Sequence, residues 1–195
     1  GEWPSVSFRD LILQYGNIDI NEYNTRELLL QKIYDEKIEI DCDTPLEDLG
    51  YGNLVDQLYK KVARPNVVNP IFLTEHPISL SPLARANDDN PEITDRFQLI
   101  INGAEIINAY SELVDPQEQE RRLEVQAALK ADGDEEAMPM DHEYISAMEV
   151  GMPPISGWGM GIDRVVQLLT NADNIKDVVM FPLMRPLNIE NKDSE

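Results

Sequence analysis

The sequence predicts an α+β fold, an antiparallel β-sheet flanked by helices and preceded by a helical N-terminal segment. Three observations predict it. Asn102-Gly103 joins two β-rich runs, Arg96 to Ile101 and Glu105 to Tyr110, which is the pattern of a two-residue hairpin. Capping residues followed by apolar helical periodicity recur through residues 2–64. Between Ser156 and Leu169, Gly157, Gly159 and Gly161 alternate with larger residues and then give way to an apolar helical run.

Each element has its own local cause. Ser7-Phe8-Arg9-Asp10 reads as a capping box ahead of Leu11, Ile12 and Leu13, with Gly16 as the stop. Thr25 caps a helix over residues 26–36 that carries Leu28, Leu29 and Ile33. Thr44-Pro45 opens a turn. A helix over 53–62 follows and ends at Arg64-Pro65. Asn69 to Thr74 is a short strand, and residues 86–91 form a polar loop. After the hairpin, Asp115 caps a helix with Pro116 in its first position, Glu118 completing the box, and Gly133 ends it. Asp141 caps another helix, stopped by Gly151. The glycine strand then leads into a helix over 162–169. Val178 to Pro182 is expected as a final strand.

Composition bounds the function. A chain of 195 residues is long enough for a real core, and no apolar run is long enough to cross a membrane. The start, Gly1-Glu2-Trp3-Pro4, is polar and acidic, so no leader is expected, and Gly1 in place of methionine suggests an excised piece. The single cysteine, Cys42, excludes an internal disulfide and suits a reducing cytoplasm. A net charge of −21 repels nucleic acid in bulk, so a nucleic-acid partner would need another domain or a local basic patch.

Two groups of residues suggest chemistry. Alternating glycines let a strand lie flat against a planar ligand, because no Cβ intervenes. Arg164, just beyond Gly157, Gly159 and Gly161 at a helix start, can hold an anion beside the positive end of that helix. Platform and arginine together suit a nucleoside triphosphate. Strand alternation places Asn108, Tyr110 and Glu112 on one face, where Glu112 can pair an ammonium, Tyr110 cover an alkyl stem and Asn108 read a carboxylate. An edge strand with a polar outer face would read the same way. Near a triphosphate, Glu105 is a natural magnesium ligand, and equally a solvent-facing glutamate beside a turn. For Glu105 and Asn108 to line one pocket, a β-bulge is required around Ile106-Ile107. His76 and His142 have no partner motif and read as structural or surface residues.

Gly157-Trp158-Gly159-Met160-Gly161-Ile162-Asp163-Arg164 resembles motif 3 of class II aminoacyl-tRNA synthetases. Asn108-Ala109-Tyr110-Ser111-Glu112-Leu113 resembles the lysine-binding strand of the class II lysyl-tRNA synthetases. His76-Pro77, Ser81-Pro82-Leu83-Ala84 and Gly151-Met152-Pro153-Pro154 are similar to the same family. The resemblance implies that residues 65–186 are the C-terminal part of a class II catalytic core, with 2–64 a mainly helical segment within or attached to the catalytic domain and 187–195 a flexible tail. It implies that Arg164 holds the ATP γ-phosphate, that Gly157, Gly159 and Gly161 form the nucleotide site, and that Glu105 binds Mg2+. Asn108, Tyr110 and Glu112 would recognise L-lysine. The wider partners implied are tRNA(Lys) and a second copy in a homodimer, in the cytoplasm and away from any membrane.

Two departures qualify these implications. The family's second acidic metal ligand stands seven residues before Glu105, and here that position is Gln98, a weaker ligand. Motifs 1 and 2 are absent from these residues, so the chain is expected to be inactive alone. Two other readings remain open, a transferase that attaches lysine or a β-amino analogue to a protein, and a non-catalytic binding module. Gly157 and Gly159 argue against the first, and Gln98 permits the second.

Overall fold

The computed structural model describes residues 1–183. The described residues fall into two compact units divided after Met160. The first contains a five-stranded sheet in the order β1 (Ser5–Ser7), β2 (Ile71–Thr74), β3 (Arg96–Ile101), β4 (Ala104–Ser111) and β5 (Ser156–Met160). β1 runs parallel to β2 and the other neighbours are antiparallel. The sheet is therefore mixed rather than purely antiparallel, because three residues within the expected helical segment add a strand along β2.

The helices form where the caps place them. Ser7 Oγ accepts the Asp10 N–H and starts α1 (Phe8–Gly16), and Asn17, at φ 52°, ends it one residue beyond the predicted glycine stop. Thr25 caps α2 (Arg26–Asp35) by accepting from Leu28 N. α3 (Tyr51–Val62) starts at Gly50, which has no capping side chain of its own. Asp134, wholly buried and 84 residues away, accepts the Gly50 N–H at 2.8 Å and both hydrogen bonds from Asn53 Nδ2. A side chain at position 50 would collide with Leu129 Cδ1, 2.7 Å from the ideal Cβ, so glycine lets the two segments meet.

Phe8, Leu11, Ile12, Leu29, Ile33, Leu54 and Leu58 pack with Leu73 and Ile100 of the sheet in one core. Each large aliphatic side chain there contributes about 2–3 kcal/mol by leaving water. This core joins α1 to α3 with the sheet.

The Asn102-Gly103 hairpin forms as predicted. Both residues have positive φ, 49° and 69°, the combination that a type I′ turn demands. Its tip is held by hydrogen bonds from Asn102 N and Gly103 N to the carbonyls of Val68 and Val67. Asp115 caps α4 (Pro116–Ala131) through the N–H groups of Gln117 and Glu118. Arg122 of α4 donates to Ala84 O at 2.8 Å and seats the helix against the preceding loop. Leu123 of α4 packs with Ile145 and Met148 of α5 (His142–Glu149).

Glu118 does not reach back to the cap. It takes hydrogen bonds from Arg121 and Arg122 instead. Donation from Arg121, then Arg122, draws its carboxyl down to about 2, against the opposing effect of burial. A depressed carboxylate stabilises the fold fully above its ordinary value of 4.5, and that stability is lost as pH falls toward 2. Glu118→Gln is expected to flatten the pH dependence of urea unfolding across that window. An unchanged slope would remove Glu118 from the account.

The second unit begins at Gly161 and contains α6 (Ile162–Thr170). The expected strand at 178–182 is absent. A single 3-10 turn over Ile175–Asp177 occupies its approach, with Asn174 Oδ1 accepting from Lys176 N and Val178 N bonding to Ile175 O. These local bonds curl the chain before an extended run can start, and Met180 and Phe181 are 86% exposed. The expected tail at 187–195 lies outside the described residues.

Candidate functional site

The site is built on one face of β3, β4 and β5. Residues directly opposite in an antiparallel pair share a face. The register pairs Arg96 with Tyr110, Gln98 with Asn108 and Ile100 with Glu105. Between the last two pairs Ile106 has no partner, so β4 carries one extra residue where a bulge was required. The bulge brings Glu105 to the face that holds Asn108 and Tyr110. On the other side, Tyr110 stands opposite Gly157 and Asn108 opposite Gly159.

Hydrogen bonds fix the orientation of the polar side chains. Arg96 Nε donates to Asn108 Oδ1 at 3.0 Å, and its Nη1 donates to Ser81 Oγ and Leu80 O. Arginine has no acceptor, so Asn108 must turn its oxygen toward Arg96, which leaves its NH2 aimed away from it. Gln98 Nε2 donates to Glu105 Oε2 at 2.6 Å. Its Oε1 lies 3.2 Å from His76 Nε2, which therefore carries the proton. His76 is 1% exposed, and burial first, then the Arg96 charge, lower its pKa to about 3, so the ring is neutral. A neutral donor thus holds Gln98, and Gln98 in turn holds Glu105.

Burial raises the Glu112 carboxyl above its ordinary value, and raises Tyr110, with Glu112 adding to the second effect. Tyr144 of α5 is raised by burial and then by Glu112 and Tyr110. This half-buried acid favours a cation that can share its desolvated setting. Glu112 also lines a cleft of about 470 Å3 with Arg85, Val114, Pro154 and Ile155.

The glycines differ in what surrounds them. A Cβ at Gly159 would meet no atom within 4 Å among the described residues, and Gly159 lacks the positive φ that favours glycine. Neither backbone conformation nor packing accounts for glycine there. A Cβ at Gly157 would lie 2.8 Å from Glu112 Oε1. Gly161 belongs to the second unit, where it precedes α6, and the stem of Arg164 folds within 3.3 Å of its absent Cβ. Arg164 occupies the first turn of α6.

The first unit therefore gathers Glu105, Asn108, Tyr110, Glu112, Gly157, Gly159 and Gln98 onto one face, while Gly161 and Arg164 are described within the second. Arg96, His76 and Tyr144 were not singled out by the sequence as site residues. Arg96 had one usable signal, a charge two residues before Gln98 on an otherwise apolar strand. His142 sits exposed at the start of α5. Among the described residues no group of three or more His, Cys, Asp or Glu side chains could hold a metal, and no helix is long and apolar enough to cross a membrane.

Comparison with known proteins places the chain in a family. The family model described as tRNA synthetases class II (D, K and N) matches residues 3–185. The chain is 44% identical over 191 residues to a lysine–tRNA ligase of Thermosipho africanus, covering 98% of this chain and 36% of the relative. It is 40% identical over 185 residues to the lysine–tRNA ligase of Helicobacter hepaticus, covering 95% of this chain and 35% of the relative. The lysine–tRNA ligase of Helicobacter pylori strain Shi470 is 44% identical over 191 residues. The chain spans a little over a third of the length of these curated relatives. From its match across nearly its whole length, this chain belongs to the class II tRNA synthetase (D, K and N) family.

Proposed function

We propose that this chain is the C-terminal part of a lysine–tRNA ligase, contributing most of the lysine pocket and part of the ATP site. The observation that carries the reading is the single face shared by Glu105, Asn108, Tyr110, Gly157 and Gly159, with the Glu112 carboxylate lying over Gly157. Glu112 pairs the lysine ε-ammonium, Tyr110 covers the alkyl stem, and the NH2 of Asn108, turned away from Arg96, reads the carboxylate end. The bare surface over Gly159 suits a flat ring, and within the second unit Arg164, aided by the start of α6, suits the γ-phosphate of a nucleotide. The reaction is attack of the lysine carboxylate on the α-phosphate, giving lysyl-adenylate and pyrophosphate, followed by transfer to tRNA(Lys). Catalysis of this kind rests on positioning and charge neutralisation.

The donor set fits Mg2+ carried by the nucleotide. Glu105 supplies the one carboxylate, and the Gln98 oxygen is already turned to His76. Bound there, Mg2+ would neutralise phosphate charge. A homodimer working in the cytoplasm completes the proposal. Motif 2 is not among these residues, so the chain alone is expected to bind lysine without activating it.

Titrating the 15N-labelled chain with L-lysine tests the pocket. Saturable shifts at Asn108, Tyr110, Glu112 and Gly157 are expected, and Glu112→Gln should weaken binding about tenfold, the cost of losing one charge-assisted hydrogen bond. Identical shifts with L-leucine would refute lysine recognition at this face.

A further inference from the structure

The resemblance groups Gly157 with the ATP site, but its surroundings tie it to a different ligand. Among the described residues, the two atoms within 4 Å of a Cβ at this position are Oε1 and Cδ of Glu112, at 2.8 and 4.0 Å. The backbone there is not left-handed. Gly16 and Gly52 make room for Val62 and for the Ser79 carbonyl, which is close packing of the fold. At Gly157 the space goes to the end of a flexible carboxylate on the site face. Gly157 stands opposite Tyr110, and Glu112 lies two residues further, just past the end of β4, where its N–H donates to Ile155 O, so the carboxylate reaches diagonally over β5.

We propose that Gly157 is the positioning residue for Glu112: by having no side chain it lets the carboxylate lie down against β5, which sets the depth of the cation pocket and selects an ammonium on a stem of lysine length. The ligand named here rests on the lysine–tRNA ligase reading above; the contact between Gly157 and Glu112 does not. A methyl at 157 lifts the carboxylate away from β5 into the pocket and leaves the fold intact, since only a side-chain end must move. Half-burial of Glu112 supports the same picture, because a carboxylate lifted off the strand regains water.

The test compares the chain with Gly157→Ala, Glu112→Ala and the double variant. Three measurements are made: melting temperature, the pH titration of the Glu112 side-chain 13C carboxyl, and affinity for L-lysine and L-ornithine. Gly157→Ala is expected to leave the melting temperature unchanged and to move the Glu112 titration toward the ordinary carboxylate value. It should also weaken lysine about tenfold and lower the lysine-to-ornithine preference, a change of the size one methylene produces. In the Glu112→Ala background, adding Gly157→Ala should change nothing further. An unmoved Glu112 titration, or an equal loss of lysine in both backgrounds, overturns the proposal. If the unaltered chain binds neither amino acid, the lysine reading fails, and the Glu112 titration alone decides the role of Gly157.

Discussion

Asp134→Ala is expected to destabilise the fold by about 3 kcal/mol, the sum of hydrogen bonds to a buried charge left unmade. Asp134 is fully buried, and its carboxylate accepts from Gly50 N, Asn53 Nδ2 and Glu136 N. These donors lie at the start of α3 and in the loop after α4, so one side chain joins two segments distant in sequence. Without it, the Gly50 N–H and the Asn53 amide at the start of α3 lose their acceptor, and Gly50 has no side chain to cap the helix. α3 carries Leu54, Val55 and Leu58 into the core, so the loss is felt by the whole first unit. Urea unfolding followed by circular dichroism measures it. Asp134→Asn, which keeps an acceptor but turns an NH2 toward one of the donors, should fall between the two. A loss below about 0.5 kcal/mol, the level of an ordinary surface change, would show that α3 is capped in some other way.

Local chemistry made most of the fold legible in the sequence. Ser7, Thr25, Asp115 and Asp141 each cap the helix they were expected to cap, because a cap needs only a side-chain oxygen and the next turn. Asn102-Gly103 specified its turn because both positions need positive φ. Long-range partners were not legible. β1 is three residues long and exists only because β2 lies beside it. The run at 178–182 looks like a strand by composition, yet a turn of local hydrogen bonds wins in its approach. The cap that Asp134 provides to α3 leaves no trace in the sequence around Gly50.

The site was legible to a similar depth. Asn108, Tyr110 and Glu112 follow from simple alternation. The bulge at Ile106 was a geometric requirement, with no residue in the sequence to announce it, and the structure supplies it. Arg96 escaped notice, and His76 read only as structural or surface, because each acts through another side chain, Asn108 and Gln98, whose pairing sequence alone does not give.

Arg164→Ala carries the largest expected effect. An arginine at a helix start that neutralises the γ-phosphate of the departing pyrophosphate is worth about 10³-fold in rate, or roughly 4 kcal/mol. Lysine in its place would keep a point charge but lose the planar fork. The measurement needs the parts of a ligase that this chain lacks, and these can be supplied by replacing the matching third of the Thermosipho africanus lysine–tRNA ligase with this chain. Lysine-dependent exchange of labelled pyrophosphate into ATP is then followed in the folded hybrid. The account predicts exchange with L-lysine and a loss of about 10³-fold in Arg164→Ala with the melting temperature unchanged. A folded hybrid that is inert with lysine, or one that exchanges equally well with Arg164→Ala, would contradict it.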